Sequence, residues 1–210
     1  MSIGKKKIKK SEFLTYYVRN MQNRDKLIQT FLEKNKQINL SAIRDSDWVM
    51  VKHIQDSLEL EKVIDRKEWI KIADIGTGWW FPLMPLAISH PECNFVWIDS
   101  VKKKTIAVWE ILQELGVKNV EMMWTRIENI KNQAFDLVTA RAVAYSDKLL
   151  SWAAPLIKKW WRIALMKQVN NEEKKVLLDT AKKKKLVLEK EYNYKLFNWD
   201  IERVIYILRK

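Results

Sequence analysis

The residues of this chain best placed to do chemistry lie in Asp74-Ile75-Gly76-Thr77-Gly78 and at Asp99. An apolar run over residues 70–75 leads straight into the Gly-Thr-Gly turn, and Pro82 follows as a helix opener. A strand ending in such a turn is how α/β proteins seat a nucleotide-like cofactor at the carboxyl end of a sheet. Gly76 and Gly78 let the chain turn and bring backbone N–H groups against a ligand. Asp74, closing the first strand, is placed to accept from those amides or from a ligand amine. Asp99 closes the next apolar run, Phe95-Val96-Trp97-Ile98, where an acid grips two ribose hydroxyls. A nicotinamide or flavin fingerprint needs a third glycine, and Phe81 holds that position. The Asp-x-Gly-x-Gly form fits S-adenosylmethionine better. His53 and Asp56, three apart on one helix face, are a second candidate pair. Their spacing suits substrate orientation and a purely structural role equally.

Two indoles, Trp79 and Trp80, follow the turn where small residues are needed. A typical chain is about 7% glycine, about 15 residues in a chain of this length; this one has 4 glycines and 11 tryptophans. Trp160-Trp161 fall between an expected helix end and an apolar strand, where glycine caps helices in the left-handed conformation. Trp199 follows Asn198 in a turn context, and Trp69 precedes the first strand. UGA is a stop codon in most organisms, tryptophan in some and glycine in certain bacterial lineages. A glycine-UGA gene read with the tryptophan table produces this pattern. The expectation is glycine at 79, 80, 160 and 161, and also at 69, 97 and 199. Trp152, on an apolar helix face, reads as genuine, and Trp48, Trp109 and Trp124 stay open. The competing reading is a tryptophan-rich chain whose cofactor loop is blocked.

The elements that must position these groups change rhythm near residue 70. Residues 11–36 carry helical spacing at Phe13, Leu14, Tyr17, Val18 and Met21, then at Leu27, Ile28, Phe31 and Leu32, with Tyr16 and Tyr17 read as core. A connector over 38–43 follows, and Asp45 or Ser46 caps a helix expected to run to about Ile64. Beyond it, strands are expected at 70–74, 94–98, 119–123, 135–140 and 162–167. Helices are expected at 82–89, 102–115, 147–157 and 171–184, with Gly116 ending the second. Runs at 186–194 and 201–208 read as a closing antiparallel pair. Strand–helix alternation implies a mostly parallel sheet covered on both faces. The expected organisation is a basic arm over 1–10, a helical extension over 11–66 and a cofactor-binding core over 67–210.

Charge points to a polyanion. There are 39 Lys and Arg against 26 Asp and Glu, a formal net charge of +13. Nucleic acid is the first partner class to consider, beside plain lysine enrichment from an AT-rich genome. Lys5–Lys10 reads as an RNA-contacting arm and Lys182–Lys185 as a solvated helix face. Cys93 is the only cysteine, which excludes an intrachain disulfide and a cysteine zinc site. No metal is expected. His90, beside Pro91, is expected at the surface. The N-terminus lacks the apolar stretch of a signal peptide, and the most apolar window, 70–88, contains Lys71, Asp74 and the turn glycines. A cytoplasmic protein without a membrane span, acting as a monomer, is the expectation.

Several further stretches share one resemblance. Asn39-Leu40-Ser41-Ala42-Ile43-Arg44-Asp45, Lys52-His53-Ile54-Gln55-Asp56-Ser57, the segment 74–88 and Ile98-Asp99-Ser100 resemble the ribosomal RNA small subunit methyltransferase G family, also called glucose-inhibited division protein B. Residues 114–120, Thr125-Arg126-Ile127-Glu128 and Thr139-Ala140-Arg141-Ala142 match in order, so the likeness spans nearly the whole chain from about residue 25. The family carries glycine where Trp80 and Trp161 stand, and Leu83 replaces another customary glycine. The resemblance implies an α/β, Rossmann-like class I methyltransferase fold. That means a mostly parallel seven-stranded sheet, helices on both faces and an N-terminal helical extension. It implies methyl transfer from S-adenosylmethionine to N7 of one guanine in small-subunit (16S) rRNA. Gly76 and Phe81 would then line the methionine and ribose side of the cofactor, with Ile127 and Glu128 bordering the adenine. Asp99 would hold the ribose, and Arg141 would stand at the mouth shared by cofactor and substrate. Arg141, Lys52 or Lys167 would recognise guanine O6 or a flanking phosphate, with His53 orienting the substrate. Guanine N7 has a free lone pair at neutral pH, so placement rather than a general base is the main demand. Two other readings remain: a non-catalytic RNA-binding relative blocked by Trp79 and Trp80, and a methyltransferase acting on another RNA or a small molecule.

Overall fold

Among the described residues, seven strands pair into one sheet: β1 Lys71–Ile75, β2 Asn94–Asp99, β3 Val120–Trp124, β4 Phe135–Arg141, β5 Ile157–Gln168, β6 Val187–Lys195 and β7 Glu202–Arg209. Their order is β3-β2-β1-β4-β5-β7-β6. Strands β1 to β5 are parallel, and β7 runs antiparallel between β5 and β6. The computed structural model describes residues 24–39, 41–62, 70–76, 80–131, 133–141, 143–196 and 201–210. The expectations for the arm 1–10, Tyr16, Tyr17, Trp69, Gly78, Trp79 and Trp199 lie outside them. The order turns back at β1, whose neighbours are β2 and β4, and the crevice at such a switch point is where open α/β sheets bind ligands.

Both faces are covered, which is why the central strands are nearly continuous apolar runs. Helices α1 Arg24–Ile38, α2 Ser46–Val49, α3 Asp56–Leu58, α4 Leu83–Ser89 and α5 Lys102–Leu115 lie on one face. Helices α6 Ser146–Ala153 and α7 Asn171–Lys183 lie on the other. Strand β1 serves both: Ile72 enters the first core, and Ala73 and Ile75 enter the second. Gly116 stops α5 at φ +68, with its N–H donating to Gln113 O and that of Val117 to Leu112 O. Nothing lies within 4 Å of where its Cβ would be, so the left-handed backbone alone requires glycine.

The N-terminal helix is tied to α5 by polar links. Lys26 Nζ donates to Glu114 O at 2.6 Å, Thr30 Oγ1 to Glu114 Oε1 at 2.9 Å, and Lys34 pairs with Glu110 at 2.6 Å. This holds the connector after α1 over the carboxyl ends of the strands. Asp45 caps α2 as expected, its Oδ1 accepting from the N–H groups of Asp47 and Trp48. The helix expected to continue to Ile64 is not uniform. A π-helical stretch, Met50–Gln55, separates α2 from α3, and a 3-10 turn follows at Glu59–Lys62. Such π segments recur at functional sites; this one carries Lys52 and His53.

Three expectations need correction. Helix α6 ends at Ala153, and Ala154–Leu156 form a 3-10 turn around Pro155, so β5 starts at Ile157. Phe135 pairs with Ile157 but Leu137 with Arg162, so residues 158–161 form a strand bulge and not a helix-end turn. Trp160 sits there at φ +73, 66% exposed. Trp97 lies mid-strand in β2, 2% exposed within the first core; its backbone makes no demand for glycine. His90 is buried, not superficial: Nδ1 lies 3.1 Å from Glu92 Oε1 and Nε2 3.4 Å from Glu61 Oε1, and these two acids draw the imidazole inward. The Glu61 hydrogen bond holds its pKa above the usual value.

Candidate active site

At the carboxyl ends of β1, β2 and β4 two cavities open side by side, and Gly76 lines both. The first, about 330 Å³, is bordered by Asp99, Ile127, Glu128 and Val143. Gly76 adopts φ +67 and donates its N–H to Ile98 O at 2.9 Å. A Cβ there would come within 2.5 Å of Val143 Cγ1, so only glycine keeps this wall open. Asp99 anchors one oxygen, Oδ1, on the N–H of Val101 at 2.8 Å. Its half-buried carboxylate thus lies on the cavity with Oδ2 unengaged among the described residues. Asp74, fully buried, accepts from Thr139 Oγ1 at 2.6 Å through Oδ1, while Oδ2 has no partner among the described residues. Burial pushes its pKa up to about 8. An unsatisfied buried carboxyl beside a glycine cradle is a place where a ligand N–H would be stabilised. Ile127 presents its side chain from a 3-10 turn, Ile127–Asn129, and Glu128 is exposed at the rim.

The second cavity, about 320 Å³, is lined by Ser41, Lys52, His53, Asp56, Phe81 and Arg141 among others. Phe81 stacks on His53, with centroids 4.6 Å apart and planes at 10°. Arg141, ending β4, donates through NH1 to Asp56 Oδ2 at 2.9 Å and to Lys52 O at 3.2 Å, and its NH2 lies 3.3 Å from His53 Nδ1. Burial, followed by the Arg141 charge, lowers the His53 pKa to about 3, so the ring is neutral. So weakly basic a ring is a poor general base at neutral pH. Asp56 gathers three donors: Arg141, Arg203 NH2 at 3.2 Å on Oδ2, and Tyr194 OH at 2.6 Å on Oδ1. Burial and the Asp56 charge raise the Tyr194 pKa, keeping it a donor.

The structure brings Gly76, Asp99, Ile127 and Glu128 around one cavity and Lys52, His53, Phe81 and Arg141 around the other, while Asp74 is buried two residues before Gly76 and lines neither. Lys52 holds its ammonium 3.7 Å over the Trp48 ring. Lys167 belongs elsewhere, committed to Glu173 at 2.8 Å and Ala144 O at 2.6 Å. Arg203 and Tyr194 were not singled out from the sequence. An arginine heading the apolar run 204–208 is the one signal that pointed to them. Trp80 lines neither cavity: it is fully buried against Phe31, ring centroids 5.1 Å apart, at φ +69. Its indole N–H has no partner among the described residues.

With this geometry in place, the relatives are informative. The model of the rRNA small subunit methyltransferase G family matches residues 20–198. The chain belongs to that family. A ribosomal RNA small subunit methyltransferase G of Thermoanaerobacter sp. strain X514 is 34% identical over 91% of this chain and 82% of its own length. The protein of that name from Listeria monocytogenes serovar 1/2a is 33% identical over 87% of this chain and 79% of its own. Among solved structures, a SAM-dependent methyltransferase from Aquifex aeolicus superposes with TM-score 0.61 at 18% identity, covering 85% of this chain and 98% of that one. A ribosomal protein L11 methylase from Lactobacillus delbrueckii subsp. bulgaricus gives 0.60 at 14%, covering 76% and 79%. Those likenesses show the Rossmann-like methyltransferase fold expected from the sequence. As a member of the methyltransferase G family, the protein is a methyltransferase whose cofactor is S-adenosylmethionine. The glycine wall of the first cavity and the unpartnered Asp74 Oδ2 fit such a ligand, which carries an ammonium and ribose hydroxyls.

Proposed function

We infer that this protein methylates N7 of a guanine in small-subunit (16S) rRNA. The observation that carries the reading is the pair of cavities meeting at Gly76, one built for a nucleoside cofactor and the other walled by Arg141, His53 and Phe81. Asp99 would hold ribose hydroxyls through Oδ2, Ile127 and Glu128 would border the adenine, and Asp74, Gly76 and Gly78 would receive the methionine end. Bound there, S-adenosylmethionine supplies a methyl group on a sulfonium, already activated for displacement. The protein's own task is alignment, because guanine N7 needs no deprotonation. The neutral His53 supports this: it fixes Phe81 and Arg141 and takes no proton. Asp56 holds Arg141 at the mouth, where its remaining N–H groups are available to the base or to a phosphate. Lys52 adds a positive charge to the same rim. The net charge of +13 supports salt-sensitive attraction of RNA.

The buried position of Trp80, away from both cavities, weighs against a relative whose cofactor cavity is blocked there. Left-handed backbone at Trp80 and Trp160 supports glycine decoding of UGA at these two codons, since a bulky residue at φ > 0 is an outlier. Among the described residues no helix is long and apolar enough to cross a membrane. A monomer acting in the cytoplasm, where its rRNA substrate is made, completes the reading. Recombinant protein incubated with S-adenosylmethionine and small subunits lacking the modification should yield one N7-methylguanine, detected by nucleoside mass spectrometry. Absence of that nucleoside would overturn the assignment. Peptide mass spectrometry of the native protein reads residues 80 and 160 directly, and tryptophan at both would end the decoding proposal.

A further inference from the structure

Asn35 fixes a residue that no role has yet been given. Fully buried in α1, it donates through Nδ2 to the carbonyls of Ser41 at 3.1 Å and Ile43 at 2.7 Å, and its Oδ1 accepts from Ser41 N at 2.6 Å. Arg44 also donates to the Ser41 carbonyl. The backbone of Ser41 is thereby locked at the wall of the second cavity, and the residue is 9% exposed.

The hydroxyl has a defined polarity. An arginine always donates, so the short approach of Arg141 NH2 makes His53 Nδ1 an acceptor. A neutral imidazole then carries its hydrogen on Nε2, which lies 3.3 Å from Ser41 Oγ. Ser41 Oγ therefore accepts from His53 Nε2, and it accepts again from Ile43 N at 3.1 Å. Both lone pairs are used. The hydroxyl hydrogen has no acceptor left among the described residues, and the cavity is the open side.

Within the reading of the protein as a guanine-N7 methyltransferase, we propose that Ser41 is a specificity-determining residue that donates its hydroxyl hydrogen to O6 of the target guanine. The edge of guanine that carries N7 presents two acceptors, N7 and O6, whereas the same edge of adenine pairs N7 with an N–H donor. Since N7 must stay free for the methyl group, O6 is the acceptor that a donor can hold without blocking the reaction. Arg141 supplies further N–H groups at the same wall. Asp56 already takes three donors, which leaves this wall richer in donors than in acceptors and disfavours a base edge that also donates. Ser41 and Arg141 thus read the base through His53, whose tautomer relays the orientation of one to the other.

The test first maps the guanine that the wild-type enzyme methylates, then replaces it with 2-aminopurine, which keeps N7 and lacks O6, by splint ligation. Loss of one hydrogen bond should lower kcat/KM about tenfold. Ser41→Ala should lose about tenfold on guanine and nothing further on 2-aminopurine, relative to wild type on the same RNA. Ser41→Thr, which keeps the hydroxyl, should stay within about twofold of wild type on guanine. Cofactor affinity by calorimetry should be unchanged in both variants. Losses from the variant and the analogue that multiply would overturn the proposal, since Ser41 would then act without O6. Nitrogen-15 NMR of the His53 ring in the unaltered protein gives a second reading. A hydrogen on Nε2 supports the relay, and a hydrogen on Nδ1 sinks it, because Ser41 would then spend its hydrogen on the imidazole. If wild type makes no N7-methylguanine at all, the function itself fails, a result distinct from either outcome.

Discussion

Asp74 offers the sharpest test of how this site is built. Its carboxyl is fully buried, satisfied on one oxygen by Thr139 and unpartnered on the other. Burial moves its pKa from 3.8 to about 8. Between those values the native protein holds a proton that the unfolded chain releases. Stability contributed by the protonated form is therefore lost as pH rises from about 4 to about 8. Each pKa unit is worth about 1.4 kcal/mol, which sets an upper limit of about 6 kcal/mol over the span. Asp74→Asn keeps the shape and still accepts from Thr139 but cannot ionise. Urea unfolding of cofactor-free protein from about pH 4 to about pH 9 should show the variant gaining on wild type with rising pH, then levelling near pH 8. His90, whose raised pKa makes its contribution fade as pH rises, titrates in both proteins and cancels in the difference. So do Glu173 and Glu189, whose lowered pKa values make theirs fade as pH falls. S-adenosylmethionine, bringing an ammonium, should flatten the wild-type slope. A difference that is flat or shrinks with pH would refute the reasoning.

Three further outcomes are expected. Gly76→Ala forces a side chain onto φ +67 and against Val143. Strain of about 1–2 kcal/mol and overlap of about 1–3 kcal/mol should weaken cofactor binding at least about tenfold by calorimetry, and wild-type affinity would contradict the glycine wall. Trp160→Gly removes an exposed indole from left-handed backbone and leaves no cavity, so urea unfolding should show a gain of about 1 kcal/mol. A loss would mean that the Lys159 and Arg209 contacts with the ring outweigh the strain. Asp56→Asn removes the carboxylate between two buried guanidinium groups and should cost about 3–5 kcal/mol of stability, with methyl transfer falling in step. Unchanged urea midpoints would show that Asp56 is not the hub of the mouth.

What could be read in advance was local. Gly116 follows an amphipathic run and ends α5 where expected, because a cap needs only its own neighbours. Asp74 and Asp99 both close apolar runs, so their placement at adjacent strand ends followed once β1 and β2 were seen to be parallel. The Asp56 cluster was hidden because Tyr194 and Arg203 reach it from the closing strand pair, and no periodicity registers a contact across so much chain. The π-helical turn at Met50–Gln55 was equally silent, since its residues read as an ordinary amphipathic helix. The sequence sets Trp160 at a helix end, whereas the structure sets it in a strand bulge at φ +73. Left-handed backbone is demanded by helix caps and strand bulges alike, and only the β4–β5 register separates the two.

The position of β7 makes one of the two cavities depend on it. Strand β6 reaches the sheet only through β7, which inserts between it and β5 although it is made later. Until β7 docks, Asp56 lacks Arg203 outright and has no sheet to present Tyr194 to it. The first cavity is lined without β7, whereas the second is lined by Arg203 of that strand. On the proposed function, a molecule frayed at β7 would keep its cofactor cavity and lose the place proposed for the base.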